Sequence, residues 1–305
     1  MPDGWRSLQA TTLVGLARRA LARGEPGARA GGGAVVGPPP ASPEDAASVR
    51  ARALAAGMPA RAADALAARW SDLPPAVRAQ VATPLVPAAV SEELRWGEDP
   101  ARQVDQTTCG SAVLVMLAAA GDPALALWLA TGDELPGYVP PEVLFLGRTL
   151  PGALALTPAR RFAALQRTVK HLTNLGPPPW PHSLGTPPWG AARVARHGPV
   201  RFRGEMVDDA DRPRTADQLA RAQEALAAGV PVPLYVQGDL GGGLAHAVPR
   251  HVVLLVGAHG EEVSVYEPGR GVVVPLPVER LAAPRGPERA LGGWTHGAWI
   301  LLPHQ

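Results

Sequence analysis

QVDQTTCGSAVLVMLAAAG, residues 103–121, holds the only cysteine of the chain, Cys109. From Ala112 to Ala120 every residue is small or apolar, which reads as a buried helix, apolar on nearly all sides. Gly121-Asp122-Pro123 breaks the run too early for it to span a membrane. Cys109 therefore sits where a polar turn enters a helix, beside free backbone N–H groups and the positive end of the helix dipole. Such a setting favours the thiolate, the nucleophilic form of the side chain. Gln103, six residues earlier, offers amide N–H groups for an oxyanion. A lone cysteine is otherwise a small buried hydrophobe, so the choice between the two rests on what lies downstream.

The 305 residues, 46% of them hydrophobic, can bury a large core as one domain or two. Lys170 is the only lysine, the net charge is +2, and no dense basic stripe marks a nucleic-acid partner. One cysteine excludes an internal disulfide, and the N-terminus lacks the pattern of a signal peptide, so a cytoplasmic protein is expected. Leu8, Leu13, Leu16 and Leu21 suit a short amphipathic helix, followed over 24–41 by a Gly/Pro/Ala linker. Gly31-Gly32-Gly33 has neither the preceding strand nor the following lysine of a phosphate loop.

Three divisions follow: 1–41, a helix and flexible linker; 42–100, a helical lead-in; and 101–305, the domain built on Cys109. In the lead-in, Ser42 is expected to cap a helix opened by Pro43 and stopped by Gly57, with further helices near 59–70 and after Pro74. The lead-in reads equally as a packed cap or a pro-segment. Beyond the central helix, Pro123–Ala130 continues helically, a turn-rich stretch follows with Pro136, Pro140 and Pro141, and Thr157 caps a helix to about Asn174. Residues 176–190, GPPPWPHSLGTPPWG, read as a semi-rigid loop whose Trp180 and Trp189 either wall a substrate groove or pack the loop onto the surface. Residues 199–207 suit a strand. Asp208, Asp209 and Asp211 are expected in a solvated loop rather than around calcium, ahead of a helix capped by Thr215. That helix ends at Gly229, and a strand follows over 230–236.

A glycine-rich loop, 238–250, leads to His251, which opens the apolar strand HVVLLVG. A turn then gives EEVSVYEPGRG and a third strand, VVVPLP. A three-residue loop, Ala258-His259-Gly260, predicts Glu267 directly opposite His251, with Val253 facing Val265 and Leu255 facing Val263. Facing residues stand about 4.5–5.5 Å apart at Cβ, within reach of a carboxylate–imidazole bond. A two-residue turn at His259-Gly260 sends Glu267 to the other face.

Cys109, His251, Glu267 and Gln103 then supply a thiol to attack a carbonyl, a ring to move its proton, an acid to orient the ring, and an amide for the oxyanion. Here QVDQTTCG and the buried helix after it resemble the papain-like cysteine peptidase superfamily. Within that superfamily the chain resembles the bacteriocin-processing, double-glycine peptidase-like branch. Cys109-Gly110, His251-Val252-Val253 and Glu267-Pro268 match that pattern in order, over about 100–120 and 215–280 of the chain. The resemblance implies an α+β fold, with the cysteine helix packed on an antiparallel sheet, and cleavage of an amide bond in a peptide or protein. It also implies Gly110 among the substrate-contacting residues and no cofactor. The family usually carries Asp or Asn where this chain has Glu267, one methylene longer.

Among rivals, His251 is preferred to His246 because it begins the strand that pairs with Glu267, and Gln103 to Gln106 on spacing. A zinc site from Cys109, His246 and His251 lacks any close ligand spacing. Transglutaminase, deamidase or acyltransferase chemistry uses the same groups, and a catalytically silent binding scaffold is the non-enzyme alternative.

Overall fold

The computed structural model describes residues 45–87, 92–150, 156–238 and 248–304. The expected N-terminal helix, the 24–41 linker, the Ser42-Pro43 helix start and His246 all lie outside them. The described residues form an α+β fold of ten helices and a curled, antiparallel seven-stranded sheet.

The lead-in holds α1 (Ala46–Ala55), α2 (Ala60–Ala68) and α3 (Pro75–Ala82). Asp45 caps α1, its carboxylate accepting from Ser48 N at 2.6 Å. Gly57 stops the chain there at φ +85°. Leu66, Trp70 and Val81 are buried in one hydrophobic cluster with Cys109, so the lead-in shares the core of the rest. The short pair β1 (Arg95–Trp96) and β2 (Asp99–Pro100) then leads to the cysteine turn.

Helix α4, Cys109–Gly121, is the buried axis of the fold. Every residue in it except Ala120 is buried, which explains a sequence with no polar stripe. It packs on α7 (Pro158–Thr173), on β3 (Arg196–His197) and on β6 (His251–His259). Gly121 is required where α4 ends, because a Cβ there would stand 2.3 Å from Gly198 N and 2.5 Å from His197 C. Asp122 then caps α5 (Pro123–Thr131), accepting from Ala124 N at 3.0 Å and Leu125 N at 3.2 Å. Its other oxygen accepts from Arg196 (2.9 Å) and Tyr138 (2.8 Å), and Arg196 also grips Glu142 at 2.8 and 2.6 Å. Burial opposes charging Arg196, but these carboxylates outweigh it and hold the guanidinium charged. Among the described residues no single helix is long and apolar enough to cross a membrane; α4 and α5 meet at a 115° bend.

Three helices were not read from the sequence, one of them the short α10 (Val278–Ala282). Pro141 opens α6 (Pro141–Thr149) inside the turn-rich stretch, and Pro188 opens α8 (Pro188–Val194) at the end of the Pro/Trp loop. Both exploit proline's fit to the first helical turn. Helix α9 runs from Arg212 to Ala227, capped by Asp211 rather than Thr215; the Thr215 hydroxyl instead donates to the carbonyl of Asp208 at 3.0 Å. The solvated acidic loop is also corrected: Asp208 is 4% exposed, and Asp209 is hydrogen-bonded to His296.

The sheet runs β3, β4 (Val200–Met206), β9 (His296–His304), β5 (Val232–Gln237), β6, β7 (Glu262–Glu267), β8 (Val272–Pro277). Helix α9 packs on β5, β6 and β9. In β5, pairing with β9 starts at Leu234, just past Pro233, so the missing N–H of the proline interrupts no bond in that ladder.

The β6–β7 hairpin differs from the expected one. His259 pairs with Glu262 across a two-residue turn, Gly260-Glu261, with Gly260 at φ +63°. Gly257 faces Ser264, but Leu255 faces Val265, so β6 carries one extra residue at Val256. The tight turn alone would put Glu267 opposite Leu254, on the face away from His251. The bulge adds one residue and restores it: continuing the pairs Leu255–Val265 and Leu254–Tyr266 sets Glu267 opposite Val253, diagonal to His251 and on the same face.

Gly121→Ala is expected to destabilise the fold by at least about 2–3 kcal/mol, since the backbone it meets cannot yield. Gly147→Ala, inside α6 with nothing within 4 Å, is expected to stabilise by about 0.5–1 kcal/mol. Urea denaturation of the two variants checks both signs.

Candidate active site

Cys109 is the first residue of α4, after a turn locked by its own side chains. Asp105 N donates to Thr108 Oγ1 at 3.0 Å, and that hydroxyl returns a bond to Asp105 O at 2.9 Å. Asp105 Oδ1 accepts from Thr107 N at 2.7 Å and Thr107 Oγ1 at 2.6 Å, and Lys170 Nζ donates to the Thr107 hydroxyl. Burial raises the Asp105 carboxyl pKa, but the Thr107 bonds and the charges of Lys170 and Arg167 bring it below its ordinary value. Gln166 of α7, fully buried, clamps the approach: Val104 N donates to its Oε1 at 3.0 Å, and its Nε2 donates to Arg102 O at 2.9 Å.

The acid comes from the end of β7. Glu267 Oε1 lies 2.8 Å from His251 Nε2, and the carboxylate also accepts from Gly269 N at 2.8 Å and Arg270 N at 3.0 Å. A diagonal pair on an antiparallel ladder stands about 7–8 Å apart, more than a directly opposite one. Glu267, one methylene longer than aspartate, makes its bond to His251 from that diagonal position. The turn after Glu267 is tied to the segment before the cysteine: Gln103 N donates to Pro268 O at 2.8 Å, Leu94 N to Gly271 O at 2.7 Å, and Tyr266 OH to Ala101 O at 2.7 Å. These bonds bring Cys109 and Glu267, 158 residues apart in sequence (267 − 109), to one place.

His251 thus meets both partners. With Nε2 on Glu267, its other nitrogen, Nδ1, is left to serve the Cys109 sulfur. Burial disfavours the charged ring, but bonds and charges from Cys109 and Glu267 outweigh it and lift its pKa to about 9. Glu267 is likewise pushed up by burial, yet His251 and the two backbone N–H groups bring it below its ordinary value. Gly292, at φ +68°, closes over the ring; a Cβ there would lie 2.7 Å from His251 Cδ2 and Nε2.

Other candidates fall as follows. Gln103 sits beside the site, but its Nε2 donates to Asp105 O at 2.9 Å, which occupies one of its two amide hydrogens. Gln106 and His259 are exposed. Gly110 is held close: a Cβ on it would stand 2.7 Å from Thr186 Oγ1 and 3.2 Å from Val252 Cγ2. Trp180 and Trp189 pack edge to face on each other, centroids 5.1 Å apart, while Gly185 and Thr186 between them press on Thr107 and Gly110. Gln166, Thr186 and Gly292 escaped the sequence reading; each meets the site through tertiary contacts with no local pattern. A cavity of about 640 Å³ lies behind Gly292, lined by Gly238, Pro287, Trp294 and His296 among others. His296 Nδ1 is bonded to Asp209 Oδ2 at 2.6 Å there. Among the described residues no group of three or more His, Cys, Asp or Glu side chains is placed to hold a metal ion. No family model matches the chain, and no curated protein is significantly similar to it.

The two titrations predict a stability window. The folded-state pKa of His251 is raised, so its contribution is complete below about 6.5 and fades as pH passes about 9. Glu267 is lowered, so its contribution is complete above about 4.5 and fades as pH falls through its folded value. Glu267→Gln is therefore expected to cost on the order of 1–3 kcal/mol near pH 5.5 and clearly less near pH 10. Urea denaturation of wild type and variant at both pH values measures the difference.

Proposed function

We propose that this protein is a papain-like, thiol-dependent hydrolase that cleaves an amide bond in a peptide or protein. The observation that carries the reading is His251, bonded through Nε2 to Glu267 at 2.8 Å and in contact with Cys109. In the proposed reaction the Cys109 proton passes to His251 Nδ1 and the sulfur attacks the substrate carbonyl carbon. The carbonyl electron pair moves onto oxygen, where the Cys109 backbone N–H and the Gln103 amide receive it. As the oxyanion collapses, the C–N bond breaks and His251 protonates the leaving amine. A water, deprotonated by the same ring, then releases the acyl group from sulfur. Glu267 orients the ring and balances its charge throughout. An amine in place of that water turns the same steps into acyl transfer; hydrolysis of a side-chain amide turns them into deamidation.

A second reading, a silent scaffold kept for binding, draws on one observation: Cys109 is only 3% exposed. Alkylation by iodoacetamide separates the two. For an enzyme, Cys109 at about pH 6 is expected to react at least about tenfold faster in the native protein than in His251→Ala. Equal, slow rates in both support the scaffold. Cleavage of a random peptide library, abolished by Cys109→Ser, would then define the substrate.

A further inference from the structure

Tyr235 is the group near Cys109 that the proposed reaction leaves unused. It lies in β5, is 2% exposed, and its hydroxyl is buried with no hydrogen-bond partner. The other two tyrosines of the chain differ: Tyr138 OH donates to Asp122 and Tyr266 OH to Ala101 O. An orphaned buried hydroxyl costs stability that phenylalanine, of nearly the same shape, would not.

Its place in the sheet indicates where the hydroxyl is needed. Tyr235 faces Val252 across the β5–β6 ladder, and facing residues project on one side of a sheet. Val252 in turn touches the first turn of α4, its Cγ2 3.2 Å from where a Gly110 Cβ would lie. Tyr235 and Val252 are thus both directed at the helix end that bears Cys109. Burial first, and the charge of Cys109 second, keep Tyr235 protonated far above neutral pH, while no hydrogen bond joins the two side chains in this structure. A phenol that holds its proton is a donor at every pH at which the sulfur ionises.

We infer that the Tyr235 hydroxyl is a hydrogen-bond donor for the ionised sulfur of Cys109, stabilising the charge left when the thiol proton moves to His251. The step is balanced. The S–H bond breaks, its electron pair stays on sulfur, and the proton goes to Nδ1 of His251; Tyr235 keeps its own proton and only turns its O–H dipole toward the sulfur. In a buried site, charge on sulfur needs such a donor more than it would in water. This role rests on the thiol-enzyme reading and adds a residue that the Gln, Cys, His and Glu set does not contain.

The test is the pH profile of iodoacetamide alkylation on the full chain, for wild type, Tyr235→Phe and His251→Ala. Tyr235→Phe is expected to react about tenfold more slowly than wild type near pH 6 and to match or slightly exceed it near pH 10. A Tyr235→Phe profile superimposed on wild type overturns the role of Tyr235 while the slow His251→Ala leaves the enzyme reading standing. Equal slowing at every pH also overturns it, since that is a loss of access or packing. A His251→Ala profile equal to wild type overturns both. If Tyr235→Phe does not fold, uniform replacement of tyrosine by 3-fluorotyrosine, a stronger donor, takes its place. The alkylation profile is then expected to move to lower pH, and an unmoved profile overturns the proposal.

Discussion

One extra residue in β6 decides which side chain of β7 meets His251. Side chains alternate along a strand, so a one-residue slip moves every later residue to the opposite face. The two-residue turn at Gly260-Glu261 alone would send the β7 acid away from His251. The bulge at Val256 cancels that slip, and Glu267 returns to the histidine's face, one step displaced along the strand. A carboxylate on a longer stem suits a partner placed diagonally rather than directly opposite. Register, bulge and residue type form one arrangement.

The second constraint is the immobility of α4. A helix buried on nearly every side cannot slide without opening the core, so Cys109 has one position relative to the sheet. Its far end is fixed by Gly121 against the Gly198 backbone and by the Asp122, Arg196 and Glu142 cluster. Its near end is fixed by the Asp105, Thr107 and Thr108 bonds, and by backbone bonds from the Gln103 segment to the turn that follows Glu267. The approach to the cysteine and the exit from the acid are thus the same piece of structure.

Much of this could be read along the chain. The unbroken apolar run gave α4, the Gly121-Asp122-Pro123 break gave its end, and His251 at the head of an apolar run gave β6. Thr157 capped its helix as expected, accepting from Arg160 N at 3.4 Å. What failed did so where two local signals competed. Gly260 suits the third place of a three-residue loop, and it also suits the two-residue turn found, and nothing in Val256 announces an extra residue. Proline-dense stretches read as loops hid α6 and α8, since a proline that breaks one helix opens the next. Asp211 and Thr215 are both sound caps four residues apart, and the burial of Asp208 and the partner of Asp209 depend on β9, nearly ninety residues on. Gln166 carries no mark of its importance, because its value lies in which polar atoms the fold brings beside it.

Lys170 bears on how the molecule can be handled as well as how it works. It is the sole lysine, and its Nζ is engaged with Thr107, two positions before Cys109. Arginine supplies every other permanently cationic side chain in the protein. Reagents directed at primary amines therefore meet a single side-chain target, placed beside the turn that leads into Cys109. Acylation or tagging there would release the hydroxyl that steadies the cysteine turn, making a routine labelling reaction a local probe of that turn.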